Sequence, residues 1–575
     1  MRNNNRQELT NSLQTINFRL TINPGDLALW VQKFEILRSL GEVEQAGATL
    51  LLLDDINSNH QSKVHFLEIL TEFCTDHHLY QLGYIAAKRL ANLETNSAKA
   101  QFYVGKFAFR NKLFLESIKY LDLASISAPN NPSCFHFNGK SHLKIGRSDV
   151  SLDLFAHSLS LNGSHTPVAI DYIFAHLYAA DSTEQEIFEV TKNMSKLISK
   201  GILKRGCKSR PDGKRVGIIS GDFYSHSVAF FSENLVEALV DRGFYVHCFA
   251  VHPASRSDAT TDKFREISTS WSGVAEVSSE TLHQKIVDDS IDILFDLSGY
   301  TGKPKLSVFQ YRAAPVQVGY IGYPHSTGLS EMDYRIVDNY TDPVGLNEKY
   351  TTEKLVRLPD CFLCFKPYYE APKISDSVED RNGINWIRFG SFNNMAKITP
   401  QVLKVWCAIL NKVPKATLLI KAEPLSEDAF KEKLLIDFEK HGVDRKRLIL
   451  IGWTDSQKAH LELFSKIDIH LDTFPYNGTT TTCEAAWQGV PTLTFKGNSH
   501  RSRVGYSLMR AIGLESYVGE TVEDYVNIAV EKASDFEDLA NVRRSLRGEM
   551  EKSPLMDKKK YGKHISELVN QLMLP

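Results

Sequence analysis

The stretch LDTFPYNGTTTTCEAAWQGVP, residues 471–491, sets four consecutive threonines, Thr479 to Thr482, behind a strand-like IDIHLDTF and a Pro-Tyr-Asn-Gly turn. A helical CEAAWQG follows, closed by glycine and proline, so the hydroxyls fall at a helix start. Such a start exposes unpaired N–H groups and carries about half a positive charge, which suits phosphate. Threonine hydroxyls add donors there without adding charge. Thr479, Thr480, Thr481 and Thr482 therefore read as a phosphate cradle, with Gly478 letting the backbone approach closely. Plain capping is the competing reading, since Thr481 and Glu484 spell a T-x-x-E capping box. It accounts for Thr481 and not for its neighbours.

Other strand ends carry candidate chemistry. SFNNMAKITP places Lys397 after a strand and just before a helix begun at Thr399-Pro400, within reach of the same cleft. HSVAFF sets His226 in the first turn after another strand, where a helix N-terminus disfavours the imidazolium. GYIGYPHSTG holds three glycines, as expected where backbone approaches a ligand, and NSHRSRVGYS puts Arg501 and Arg503 near a further helix start. No Asp-x-Asp occurs, so a metal-bridged diphosphate site has no support and metal-independent chemistry is expected.

These residues sit in a chain of 575 residues, enough for about three or four domains. With 42% hydrophobic and 24% charged residues and a formal charge of −2, no global field favours nucleic acid or an anionic membrane. The start MRNNNRQELTNSL lacks a signal-like apolar core, and no apolar run approaches the roughly 20 residues of a membrane helix, so the cytoplasm is expected. Eight scattered cysteines argue against a disulfide framework. The Cys361-x-x-Cys364 pair reads as structural rather than zinc-binding or redox-active.

From about Pro24 to Gly201 apolar residues recur at three- and four-residue spacing. Two segments match at an offset of 34: Gly105 with Gly139, Ser117 with Ser151, Leu121 with Phe155, Ala124 with Ser158. That period fits a tetratricopeptide-like hairpin, in a degenerate array of about four or five repeats; Trp30 to Leu53 fits it poorly, and a generic helical bundle is the alternative. At Lys214 strands and helices begin to alternate (RVGIIS, YVHCFAV, ILFDLSGY, VQVGYIGYP). After a linker-like stretch from Pro367 to Gly383 they do so again (IRFGSFN, ATLLIKA, LILIGW, IDIHLDTF, PTLTFKG). The expected domains are a helical region over 1–205 and two Rossmann-like domains over 213–375 and 384–575. They would face a cleft lined by strand carboxyl ends.

From about Arg215 onward the chain resembles glycosyltransferase family 41, which includes the O-GlcNAc transferases and the SPINDLY proteins. The resemblance is carried by RVGIISGDFYSHSVAFF, PVQVGYIGYPHSTGLSEMDYRIVD, VRLPDCFLCF, GSFNNMAKITPQVLKVWCAILNKVP, LDTFPYNGTTTTCEAAWQGVP and RVGYSLMRAIGL. It implies a GT-B fold and inverting transfer of a sugar from a nucleotide diphosphate to Ser or Thr of a protein held along the repeats. No cofactor beyond the nucleotide sugar is implied. By resemblance Lys397 binds the donor diphosphate with Asn394 beside it, and His460 packs on the base. Thr480 and Thr481 touch the phosphates, Glu484 holds the ribose, and His226 lies beside the reacting sugar.

The departures concern the base of catalysis and the donor. An aspartate of the animal enzymes' proton path falls near Gln284, and a lysine near the nucleobase is replaced by Gln457. Tyr476 stands where O-GlcNAc transferases carry a small residue beside the N-acetyl pocket. UDP-GlcNAc is the expected donor, with GDP-fucose, as in plant SPINDLY proteins, the alternative. A catalytically inactive repeat scaffold and a small-molecule or lipid glycosyltransferase are the competing classes.

Overall fold

The computed structural model describes residues 2–56, 59–198, 214–302, 305–367, 372–374 and 386–573. Contacts group the chain into two units, residues 1–163 with 427–430, and residues 164–426 with 431–575.

The first unit is built from helices. Arg2–Ile22 precedes four hairpins: Leu27–Leu40 with Val43–Ile56, His60–Asp76 with Tyr80–Leu93, Ala98–Arg110 with Phe114–Ser127, and Pro132–Lys144 with Ser148–Leu161. The 34-residue offset appears as a repeated contact. Ser117 Oγ donates to the carbonyl of Gly105 (2.7 Å) and Ser151 Oγ to that of Gly139 (2.8 Å). A Cβ on Gly105 would lie 2.5 Å from Leu121, and one on Gly139 2.6 Å from Phe155, so each helix pair crosses too closely for a larger residue. Trp30 to Leu53 forms a hairpin despite its poor match to the repeat. Its Leu37, Leu50 and Leu53 are buried with Leu67, Leu70, Leu90 and Phe107, so an apolar stripe decides the fold where the signature residues are missing.

The second unit opens with another hairpin, Thr166–Tyr178 with Glu184–Ile198. The sequence-based boundary at 205 assigns this hairpin to the repeats. Its Ile173, Leu177 and Ile187 are instead buried with Phe249, Leu294 and Tyr300 of the following α/β domain. The expected boundary positions 205, 213, 375 and 384 lie outside the described residues, as does most of the linker from Pro367 to Gly383.

Two parallel sheets follow. The first holds β1 (Arg215–Ser220), β2 (Tyr245–Ala250), β3 (Ser270–Gly273), β4 (Ile293–Asp296), β5 (Val316–Gly319), β6 (Tyr334–Asp338) and β7 (Lys354–Leu358), in the order 3-2-1-4-5-6-7. The second holds β8 (Arg388–Ser391), β9 (Thr417–Lys421), β10 (Leu448–Ile451), β11 (Ile469–Leu471), β12 (Thr492–Phe495) and β13 (Val518–Gly519), in the order 10-9-8-11-12-13. The strands read from sequence are present. β3, β6, β7 and β13 are additional, and they are short or polar segments held by pairing with a neighbour. The last helix, Lys558–Leu572, falls inside the expected second Rossmann-like domain, yet it covers the first sheet. Its Ile565 and Val569 are buried with Leu235 and Val236, and the hydroxyls of Tyr561 and Tyr320 are 2.9 Å apart.

In each sheet the order reverses at one place, between β1 and β4 and between β8 and β11. Ligands of such sheets bind outside the carboxyl ends of the strands at these reversals. His226 follows β1, Lys397 follows β8 and the threonine run follows β11.

Gly105→Val is expected to destabilise the helical unit by about 1–3 kcal/mol, the usual cost of overpacking. Gly548→Ala, where an added Cβ meets nothing within 4 Å, should leave the unfolding midpoint unchanged or raise it; urea unfolding followed by circular dichroism checks both.

Candidate functional site

The site grows from one buried carboxylate. Asp472 follows the last residue of β11 and has no exposed surface. Its Oδ1 accepts the N–H groups of Thr473 (2.8 Å) and Gly478 (2.6 Å), and its Oδ2 accepts the hydroxyl of Thr494 (2.7 Å). Burial raises its pKa to about 6, against the pull of these hydrogen bonds. The carboxylate closes residues 473–478 into a turn, and the helix Thr480–Trp487 starts where that turn ends.

The start of this helix differs from the capping box expected from T-x-x-E. The N-cap is Thr479, whose side chain makes no capping bond. Thr481 Oγ1 donates instead to Asn393 Oδ1 (3.0 Å), and Glu484 is engaged by Gln457 and His460. The reason is nonlocal: Asn393, at the end of β8, offers Thr481 a buried acceptor and in turn donates to Asp472 Oδ1 (3.4 Å). Thr480 Oγ1 donates to the carbonyl of Ser227 (3.3 Å), which ties the helix start to the loop of His226. Thr482 Oγ1 is buried with no partner among the described residues. A Cβ on Gly478 would lie 2.7–2.9 Å from the oxygens of Thr481, Asn393 and Thr482, so glycine is required by the packing of the hydroxyls themselves. The first amides of the helix are left without a side-chain cap, beside a cluster of hydroxyls.

Lys397 reaches this helix start from β8. Its Nζ donates to the carbonyl of Asn477 (2.7 Å) and lies 4.0 Å from the centre of the Tyr476 ring. Burial lowers its pKa to about 8, partly countered by Asp472. The ring of Tyr476 stacks on Tyr178 of the opening hairpin, with centres 5.3 Å apart. Asn394, expected beside the lysine, is exposed, and its side-chain oxygen accepts the N–H of Ala396 (3.1 Å).

A second cluster lies at the ends of β9 and β10. Lys421 Nζ is 3.2 Å from His460 Nδ1, and His460 Nε2 is 3.2 Å from Glu484 Oε2. An ammonium can only donate, so Nδ1 accepts and the proton sits on Nε2, pointed at the carboxylate. Gln457 Nε2 donates to the other oxygen of Glu484 (2.7 Å), which gives the glutamine a defined task. Lys421 also lies 4.9 Å from the ring of Trp453, which is 63% exposed. Neither residue stands out in the sequence: Lys421 closes an apolar strand, and Trp453 looks like an ordinary residue after one. A cation ending a buried parallel strand was the available signal.

On the first sheet, His226 Nδ1 accepts the N–H of Val228 (3.3 Å) and lies 3.5 Å from Asp222 Oδ1, a carboxyl whose pKa burial raises. Asp222 is a group the sequence reading missed. Gln284 is exposed and donates to Asp288 (2.8 Å). Two of the three glycines of GYIGYPHSTG serve packing within the chain: a Cβ on Gly322 would lie 2.1 Å from the carbonyl of Leu297, and one on Gly328 3.0 Å from the backbone of Lys192. Arg501 pairs with Glu184 and with the carbonyl of Ser182 (3.2 Å), and Arg503 donates to the carbonyl of Tyr340 (2.7 Å). Both arginines brace the two α/β domains and the hairpin against one another. Cys361 and Cys364 are buried thiols, with Cys364 pushed up to about 12 by burial, in keeping with a structural role.

Helical repeats joined to two facing Rossmann-like domains, with polar groups gathered at both strand-order reversals, define a protein of the GT-B class. Residues 197–375 and 381–565 match Glycosyl transferase family 41, and the chain belongs to this family. It is 39% identical over 363 residues to "Probable UDP-N-acetylglucosamine--peptide N-acetylglucosaminyltransferase SPINDLY" of Solanum lycopersicum, a match covering 62% of this chain and 38% of that protein. It is 24% identical over 474 residues to the UDP-N-acetylglucosamine–peptide N-acetylglucosaminyltransferase of Caenorhabditis elegans, covering 62% of this chain and 40% of that one. A solved structure of a Thermobaculum terrenum O-GlcNAc transferase mutant superposes with a TM-score of 0.80 at 26% identity, covering 90% of this chain and 98% of that chain. The chain thus spans well under half the length of the two curated relatives.

With a pKa near 8, Lys397 is an ammonium at pH 7 and loses its charge as the pH passes 8. Affinity for UDP or GDP, measured by calorimetry, is expected to fall from pH 7 to pH 9, and Lys397→Met should bind weakly with a flat profile over that range. In the unliganded protein the sign is opposite. The unfolded lysine keeps its proton to about 10.4, so unfolding free energy should rise between about pH 8 and 10 through this group.

Proposed function

We propose that this chain is an inverting protein O-glycosyltransferase that moves a sugar from a nucleotide diphosphate to Ser or Thr of an acceptor protein. The observation that carries the reading is the meeting of Lys397 with the uncapped, hydroxyl-lined start of the helix Thr480–Trp487. When the acceptor hydroxyl attacks the anomeric carbon, the bond from that carbon to the phosphate oxygen breaks, and negative charge grows on the departing diphosphate. Lys397, the first amides of the helix and the hydroxyl of Thr479, joined by those of Thr480 and Thr481 once they turn from Ser227 and Asn393, would meet that charge as it develops, which is typically the largest single contribution to rate. This arrangement is proposed to work without a metal. Asn394 and Gly478 belong to the same donor site, the first at its rim and the second as the residue that lets the threonines converge.

His460 and Glu484, braced by Lys421 and Gln457, are proposed to hold the base and ribose. His226, with Asp222 beside its Nδ1, is proposed to position the acceptor hydroxyl or take its proton. The stacked helical hairpins would offer the acceptor an extended surface, and the cytoplasm is the proposed compartment. UDP-GlcNAc is the proposed donor, in line with the names of the SPINDLY and C. elegans relatives. A second reading has its own observation. Tyr476, which by resemblance stands beside the N-acetyl pocket, is held in place by Tyr178 and Lys397, and a ring fixed there would favour a sugar without an acetamido group, such as the fucose of GDP-fucose.

Lys397→Ala is expected to lower turnover by roughly 10²–10³-fold, as for loss of one preorganised donor at a developing charge. Peptide transfer and donor hydrolysis within about threefold of the unmodified protein would refute the assignment.

A further inference from the structure

A pocket of about 260 Å³ opens where β2 and β3 end, and none of the groups assigned above lines it. Its walls are His252, Pro253, Trp271, Ala275 and Val277, and Arg265 and Glu276 stand exposed at its mouth. His252 is 7% exposed, and burial lowers its pKa, so it presents a neutral ring. The guanidinium of Arg265 lies 5.4 Å from the Trp271 ring and is paired with Asp262 (2.7 Å), so its charge is already matched. A guest therefore meets aromatic and aliphatic surface. At about 260 Å³ the space is below the roughly 300 Å³ at which small-molecule sites begin, and suits one side chain.

Two ring contacts link the pocket to the proposed reaction centre. The His252 ring is 5.4 Å from that of Tyr224, and Tyr224 is 5.6 Å from His226. An extended polypeptide advances about 3.3 Å per residue, so these two steps span at most about three residues of acceptor chain. We propose that this pocket is an acceptor subsite that takes a large apolar side chain, aromatic best, within about three residues of the modified hydroxyl. The proposal rests on the glycosyltransferase reading. It adds a sequence preference carried by the first sheet, separate from any contribution of the helical repeats.

Gly273 supplies a clean probe, because a Cβ added there meets nothing within 4 Å. Gly273→Leu should fill the pocket without disturbing the packing around it, and Trp271→Ala should remove one wall. The test uses the full chain, UDP-GlcNAc and GDP-fucose in parallel, and a degenerate peptide library with one fixed threonine. The unmodified protein is expected to enrich Phe, Tyr, Trp or Leu at one position within about three residues of the threonine. In both variants kcat/KM for a Phe-containing peptide should fall at least tenfold toward that of its Ala counterpart. Release of nucleoside diphosphate by hydrolysis should stay within twofold, and the unfolding midpoint of Gly273→Leu should not change. Transfer without positional enrichment, enrichment unaltered in both variants, or hydrolysis with no peptide transfer each overturns the subsite alone. No nucleoside diphosphate released from either donor overturns the enzyme reading and the subsite with it.

Discussion

The geometry of the site depends on keeping one carboxylate out of water. Asp472 accepts two backbone N–H groups and one hydroxyl with its side chain, and its carbonyl accepts the hydroxyl of Tyr525 (2.9 Å). A buried carboxylate is tolerated only where such partners surround it, so the partners are fixed as firmly as the acid. They include the turn that launches the helix Thr480–Trp487 and the asparagine that holds Thr481. Asp472 also opposes the loss of charge on Lys397. One group thus aims the helix, converges the hydroxyls and supports the lysine's ammonium.

A site assembled from two sheets needs both held in one position. Ser507 Oγ donates to Asp338 (2.6 Å), His500 Nδ1 meets Asp342 (2.5 Å) and Thr480 reaches the carbonyl of Ser227, all between the first and second α/β domains. Apolar packing reinforces them, since Cys483, Val504 and Leu508 share a core with Phe362 and Leu363. The strand-order reversals of both sheets then face one another through side chains that are themselves buried. This arrangement would let His226, after β1, and Lys397, after β8, serve the single reaction proposed above.

Much of this was legible in the sequence, for a physical reason. Strand and helix alternation, the 34-residue offset, and the placement of Lys397 and the threonines after strands are all local patterns, and each appears in the fold. What escaped was set by contacts distant in sequence. Thr481 looks like half of a capping box until Asn393, at the end of another strand, takes its hydroxyl. The glycines after β5 look like a ligand loop until Leu297 and Lys192 are seen against them. The hairpin of residues 166–198 reads like one more repeat, and the final helix like part of the second domain. Both are assigned differently by the apolar surface they cover. Asp472, Asp222 and Lys421 sit at strand ends, where only the sheet order shows which faces meet.

The central claim is that Lys397 and the start of the helix Thr480–Trp487 grip the diphosphate of an activated sugar. The most direct measurement is a crystal structure of the full chain with UDP or GDP bound. Phosphate oxygens should lie about 2.7–3.1 Å from Lys397 Nζ and from the backbone amides at Thr480 to Thr482. A diphosphate bound away from that helix, with Lys397 still donating to Asn477, would contradict the account.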